Sequence, residues 1–154
     1  MASEVDSKRM RAIKYTAPEK LDRPKAIVPL DRSDILGVSV QVVRPQDGET
    51  NMHAHAGMDS CWYVLRGRAR FYGFGDELVA EAGRDEGVFI PKGVPYWFEA
   101  AGDEPLEVLH ITARDKNMAN DRVNYRPALE RQAAFDQGGR APTEEELRAA
   151  GAGR

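Results

Sequence analysis

The chain has 154 residues, enough for one domain with a single hydrophobic core. Its composition, 42% hydrophobic and 31% charged, is typical of a globular protein. With 25 acidic and 22 basic residues it carries a net charge of −3, which argues against nucleic acid as a partner. The sequence has neither a signal-peptide pattern nor an apolar stretch of membrane-spanning length, so we expect a cytoplasmic protein with no membrane partner.

Residues 1–34 are expected to form a polar N-terminal arm that is punctuated by prolines. Such arms are often held loosely or packed on a neighbouring subunit. The apolar side chains of this arm have no core of their own, so we expect the arm to pair as an edge strand with another subunit, in a homodimer. These side chains are Ile13, Tyr15, Ile27, Val28 and Leu30.

Residues 35–113 have the pattern of an all-β domain. Short apolar runs alternate with turns, which is the spacing of a β-sandwich or barrel. Glycines such as Gly67 and Gly83 supply the breaks between runs. We therefore predict a single-domain antiparallel β-barrel or jelly roll. The predicted strands are 36–43, 61–65, 69–72, 78–80, 87–90, 96–99 and 106–112.

Residues 114–154 are expected to form a C-terminal extension with short helices. The segment 127–135 favours one helix. Thr143, followed three residues later by Glu146, is the pattern of a capping box, and Gly151 is expected to end that second helix.

Two of the three histidines, His53 and His55, lie one residue apart just before an apolar strand. Alternate residues of an extended segment point the same way, so the two imidazoles can bind one divalent cation. The same pair could instead be hydrogen-bonded structural histidines. We take the metal site as the leading hypothesis.

The residues around this pair resemble the two motifs of the cupin superfamily. Gly48, His53, His55 and Gly67 fit the first motif, although its first gap is one residue short, and the segment 91–96 is similar to the second, PxGxxH. The resemblance implies an RmlC-like cupin fold over about residues 35–113. It also implies a divalent transition metal as cofactor, namely Fe, Mn, Ni or Zn.

Two positions depart from the ligand set of the family. Where cupins usually have a glutamate ligand, counting forward from His55 gives Asp59, and counting back from the next strand gives Ser60. Asp59 is either a carboxylate ligand or a loop residue that caps the strand. The second motif ends in Tyr96 instead of histidine; this residue is a packing aromatic, a hydrogen-bond donor to a ligand or, as a phenolate, an iron ligand.

Strand parity predicts which side chains line the pocket. Ser60, Trp62 and Val64 should face the interior, so Asp59 would point inward only across a bulge or loop. Glu107 is the residue of its strand least suited to burial, so Leu106, Val108 and His110 should face inward. His110 is then either a ligand or a satisfied core histidine. The predicted cavity is aromatic with a polar end, and is lined by His53, His55, Trp62, Tyr96, Phe98 and His110.

Two classes of function fit this pocket. In the first, His53 and His55, with Asp59 or His110, hold a metal that acts on a small organic molecule. The enzyme would be an oxidoreductase of the dioxygenase-like kind, or a lyase or isomerase in which Tyr96 or His110 moves a proton, with Ser60, Trp62 and Phe98 around the substrate. In the second, a metal-free cupin binds or senses a small ligand. Acid–base catalysis by the histidines alone is a third possibility. We favour the first class.

Overall fold

The computed structural model describes residues 8–127 and 138–152. Within these ranges the chain forms ten β-strands and one α-helix, with a 3-10 turn at Phe74–Asp76. The elements are β1 (Lys25–Arg32), β2 (Leu36–Val43), β3 (His53–His55), β4 (Met58–Arg66), β5 (Arg68–Gly73), β6 (Glu77–Ala82), β7 (Gly87–Ile90), β8 (Trp97–Ala101), β9 (Leu106–Arg114), β10 (Arg122–Asn124) and α1 (Glu144–Ala152).

The strands form three antiparallel sheets. The largest has the order β1-β2-β9-β4-β7, the second has the order β6-β5-β8, and β3 pairs with β10. The prediction of an all-β antiparallel jelly roll is confirmed, and the seven predicted strands correspond to β2 and to β4 through β9. Alternating residues on the inner faces make the core, as a period of two requires. Its most buried large side chains include Val43, Trp62, Val64, Phe71, Phe98, Leu106 and Val108.

The β-structure begins before residue 35, because Lys25–Arg32 pairs with β2 of the same chain. This strand was expected to lie in an arm that pairs with another subunit. In the structure, pairing with β2 alone makes it an edge strand of the main sheet, with a bulge between Pro29 and Asp31. Lys25 and Ile27 of this strand line the cavity. The arm proper is therefore the segment before β1.

The arm lies over the outer face of the main sheet. The hydroxyl of Tyr15 donates a hydrogen bond to Glu107 on β9, and the guanidinium of Arg11 contacts Asp31, with Nε 2.6 Å from Oδ2. Glu107 was expected to be exposed, but only 8% of it is accessible, because the arm covers it. The parity prediction for its neighbours is confirmed, since Leu106, Val108 and His110 are buried on the inner face.

After β9 the chain adds one short strand and one helix to the described structure. The capping box of α1 is confirmed: Thr143 Oγ1 accepts from the Glu146 amide at 3.1 Å, and Glu146 Oε2 accepts from the Thr143 amide at 3.0 Å. The helix continues to Ala152, so Gly151 does not end it. The helix predicted at 127–135 falls almost entirely outside the described residues. No helix in the described ranges is long and apolar enough to cross a bilayer.

Two glycines allow close contacts that shape the sheets. Gly67, the single residue between β4 and β5, has a φ of +82°, which favours glycine, and a Cβ there would lie 2.8 Å from the Pro105 carbonyl oxygen. At Gly87 a Cβ would lie 1.9 Å from the Trp62 carbonyl oxygen, so only glycine lets β7 approach β4 at this point.

Candidate ligand-binding pocket

A cavity of about 450 Å³ opens between the sheets and receives side chains from β1, β2, β3, β4, β8, β9 and β10. This volume is within the range of small-molecule sites. All six side chains predicted to line the pocket do line it. They are His53, His55, Trp62, Tyr96, Phe98 and His110.

His53 and His55 lie on β3 with their ring centroids 5.1 Å apart, edge to face. Two sets of backbone bonds hold β3 in place: pairing with β10, and a two-way bridge between His53 and Tyr96. The Nδ1 of His53 is 2.7 Å from the Asn51 carbonyl oxygen. A carbonyl can only accept, so this contact places the proton on Nδ1 and leaves the lone pair of Nε2 available.

Asp59 does not reach the cavity. Strand β4 is regular from Met58 to Val64, so Asp59 lies on the face opposite Ser60, and its Oδ1 accepts from the Lys92 amide at 2.8 Å. Ser60 faces inward and is buried, but it is not on the cavity wall; its Oγ is 3.1 Å from His110 Nε2. The inward bulge that Asp59 would have needed to become a ligand is therefore absent from this strand.

His110 is held by Trp62 as well as by Ser60. The rings of His110 and Trp62 stack with centroids 3.6 Å apart and planes 5° apart, because the two residues are direct cross-strand partners on β9 and β4. Burial, together with the charges of His55 and Lys25, lowers the pKa of His110 to about 3. The ring is therefore neutral near pH 7.

His53, His55 and Tyr96 are also held in their neutral forms. Burial, followed by the charge of Arg122, lowers the pKa of His53 well below its usual value, and the same causes lower the pKa of His55 to about 4. Burial raises the pKa of the Tyr96 phenol, so the hydroxyl keeps its proton. The phenolate form considered for Tyr96 is thus disfavoured by its surroundings.

Two cations that the sequence did not reveal, Lys25 and Arg122, line the same cavity. Lys25 comes from β1, where the period of two brings it inward, and its Nζ lies 5.4 Å from the centroid of the Phe98 ring. Arg122 comes from β10 and donates to Asn51 Oδ1 at 2.6 Å. Lys25 could have been found from the sequence, because the alternation in the Lys25-Ala26-Ile27 run places Lys25 and Ile27 on the same face of the strand. Arg122 could not, because β10 has only three residues and is too short to show a periodic pattern.

Two buried polar atoms belong to residues that line the cavity and have no hydrogen-bond partner among the described residues. These atoms are the indole Nε1 of Trp62, a donor, and Oε1 of Gln41, an acceptor. Trp62 Nε1 lies near the Tyr96 hydroxyl, and this proximity partly opposes the rise in the pKa of Tyr96. The two groups are nevertheless not in hydrogen-bonding geometry. Buried polar groups are normally satisfied, so these two atoms point to a polar occupant of the cavity.

The wall fits a divalent metal only in part. His53 and His55 supply two imidazoles, and the Nδ1 contact of His53 is of the kind that orients metal-binding histidines. However, no group of three or more His, Cys, Asp or Glu in the described part of the chain is arranged to hold a metal ion. Asp59 is on the other face, and His110 is stacked on Trp62 and bonded to Ser60. The described residues therefore do not assemble a complete set of metal ligands.

A model of the cupin domain family matches residues 39–112, and no curated protein matches the sequence. An uncharacterised double-stranded β-helix protein from Klebsiella pneumoniae is 17% identical, with a TM-score of 0.58, over 75% of this chain and 92% of its own. The Schizosaccharomyces pombe Cnp3 cupin domain is 16% identical, with a TM-score of 0.59, over 70% of this chain and 77% of its own. An RmlC-like cupin from Desulfovibrio desulfuricans is 21% identical, with a TM-score of 0.56, over 68% of this chain and 97% of its own. At these identities the likeness is one of fold.

Proposed function

Since the chain belongs to the cupin superfamily, we propose that its pocket binds a small organic molecule through protein side chains, without a required metal. One observation carries this proposal, namely the make-up of the cavity wall. The cavity, of about 450 Å³, has an aromatic wall with buried polar atoms that lack partners among the described residues. The same wall has two cations, and the described residues provide no third metal ligand. Aromatic walls with a few fixed polar groups are the usual make-up of small-molecule sites.

The protonation states of the wall support binding over acid–base catalysis. An efficient general base has a pKa near the working pH. His55 and His110, with pKa values lowered to about 4 and about 3, are weak bases at neutral pH. As neutral rings they accept or donate hydrogen bonds to a ligand, and the protonated Tyr96 hydroxyl is a further donor.

The test uses the two tryptophans, which give two indole N–H signals in a nitrogen–proton correlation spectrum. Trp62 lines the cavity, whereas Trp97 lies outside it and donates to Asp76 Oδ1 at 2.8 Å. A panel of acidic, neutral and basic fragments is titrated into the labelled protein. We expect some fragments to shift the Trp62 signal and leave the Trp97 signal in place. A panel that shifts neither signal, or both equally, contradicts the proposal.

A second candidate is the metal-dependent enzyme, of the dioxygenase-like or lyase and isomerase kind. The bond from His53 Nδ1 to the Asn51 carbonyl supports it, because that bond leaves Nε2 free to coordinate beside His55. Its test is metal analysis after incubation with Fe(II), Mn(II), Ni(II) and Zn(II), followed by removal of unbound metal. Stoichiometric metal that is lost in His53→Ala but kept in Asp59→Ala supports this candidate, and a metal-free wild type contradicts it.

A further inference from the structure

Lys25 is the charged side chain most deeply enclosed in the cavity wall, with 8% of its surface exposed. It lies on the inner face of β1 opposite Val43, and its Nζ is held over the Phe98 ring. An ammonium in such a place is costly unless a counter-charge is near. Burial, followed by the charge of another cation, Arg122, lowers the pKa of Lys25 to about 7.

Two cations, Lys25 and Arg122, line the cavity together with the three histidines. Two carboxylates, Asp47 and Glu49, line the cavity as well, but Asp47 pairs with Arg44 at 2.6 Å. An anion that enters the cavity beside Lys25 and Arg122 would be attracted, and a cation would be repelled.

Gln41 adds a second requirement. Its side chain is 6% exposed on the inner face of β2, between Ile27 of β1 and Val108 of β9, and its Oε1 has no partner among the described residues. A carbonyl oxygen accepts only, so the ligand group that satisfies it must be a hydrogen-bond donor, such as a hydroxyl or an amine. The indole N–H of Trp62, by contrast, needs an acceptor, which a carboxylate or a hydroxyl oxygen supplies.

We propose that the ligand is a small organic acid that also carries a hydroxyl or amino group, with its carboxylate near Lys25 and its donor group on Gln41. Its apolar body lies against Trp62 and Phe98. This inference rests on the proposed function, because it names the chemical class of the molecule that the pocket binds.

The experiment compares three probes of nearly equal shape by titration calorimetry at about pH 6.5, below the pKa of Lys25. The probes are 3-phenyllactate, its neutral amide 3-phenyllactamide, and 3-phenylpropionate, which lacks the hydroxyl. In the wild type we expect the acid to bind about tenfold more tightly than the amide, because only the acid forms a charge-assisted hydrogen bond with Lys25. We also expect 3-phenyllactate to bind about fivefold more tightly than 3-phenylpropionate, as one neutral hydrogen bond allows.

Each preference is assigned to its residue by one substitution. Lys25→Met should remove the preference for acid over amide, Lys25→Arg should keep it, and Gln41→Met should remove only the preference for the hydroxyl. Lys116→Met, a surface lysine paired with Asp34 away from the cavity, is the matched control and should change neither. If Lys25→Met does not fold, the wild-type ratio and the Lys25→Arg variant decide the question.

The inference is overturned if the amide binds as tightly as the acid in the wild type, or if Lys25→Met folds and retains the preference. It is also overturned if none of the acids binds while neutral or basic fragments still shift the Trp62 indole signal. In that case the proposed small-molecule function stands. If no fragment of any charge shifts that signal, the proposed function itself fails.

Discussion

Glu107, on the outer side of the main sheet, is buried under the arm. Tyr15 donates to its carboxylate from the arm, and Arg66 Nε lies 3.9 Å away. Tyr15→Phe leaves the buried carboxylate without this donor, so we expect the free energy of unfolding to fall by about 1–3 kcal/mol, measured by urea denaturation. Tyr63→Phe is the matched control, because Tyr63 is 40% exposed on β4 of the same sheet. Equal losses in the two variants would contradict this account.

Among the elements, β1 is an edge strand of the main sheet, because no strand in the described part of the chain pairs with its outer edge. We propose a homodimer in which this edge and the arm before it meet a second copy. Ile13, in the arm, is 51% exposed, and Ile35, in the β1–β2 turn, is 49% exposed. Ile13→Lys should therefore weaken the dimer, whereas Ile35→Lys should not. Light scattering at micromolar concentration measures both variants, and a monomeric wild type would refute the dimer.

For the molecule as a whole, the three buried histidines predict a loss of stability in mild acid. The unfolded chain takes up protons near the ordinary histidine pKa of 6.5, but the folded chain resists protonation until about pH 4 at His55 and about pH 3 at His110. The stabilisation is therefore present above pH 6.5 and is lost as the pH falls toward 4, by up to about 1.4 kcal/mol per pH unit for each histidine. Urea unfolding of chelator-treated protein from about pH 7 to pH 4 measures this slope. His110→Gln should reduce this slope. A free energy of unfolding that does not change between pH 7 and pH 4 would rule out the burial of neutral histidine rings.

The period of two explains which parts of the pocket could be predicted from sequence. Trp62, Val64, Val108 and His110 alternate on long strands, so their inward direction followed from spacing alone. Arg122 could not be found this way, because β10 has three residues and its position depends on pairing with β3. The burial of Glu107 depends on the path of the arm, which is a long-range contact that no local pattern encodes.

The position of β9 between β2 and β4 governs when the protein can fold during its synthesis. Leu36 pairs with Ala113 and Met58 with Arg114, so the centre of the main sheet joins segments far apart in the chain. Such pairings form slowly, because a long loop must close before any contact is gained. A ribosome must therefore release the chain beyond residue 114 before the sheet can assemble, and beyond Asn124 before β10 can join β3. Until then the apolar strands β2 and β4 lack their partner, and this is the interval in which a nascent chain is most exposed to aggregation.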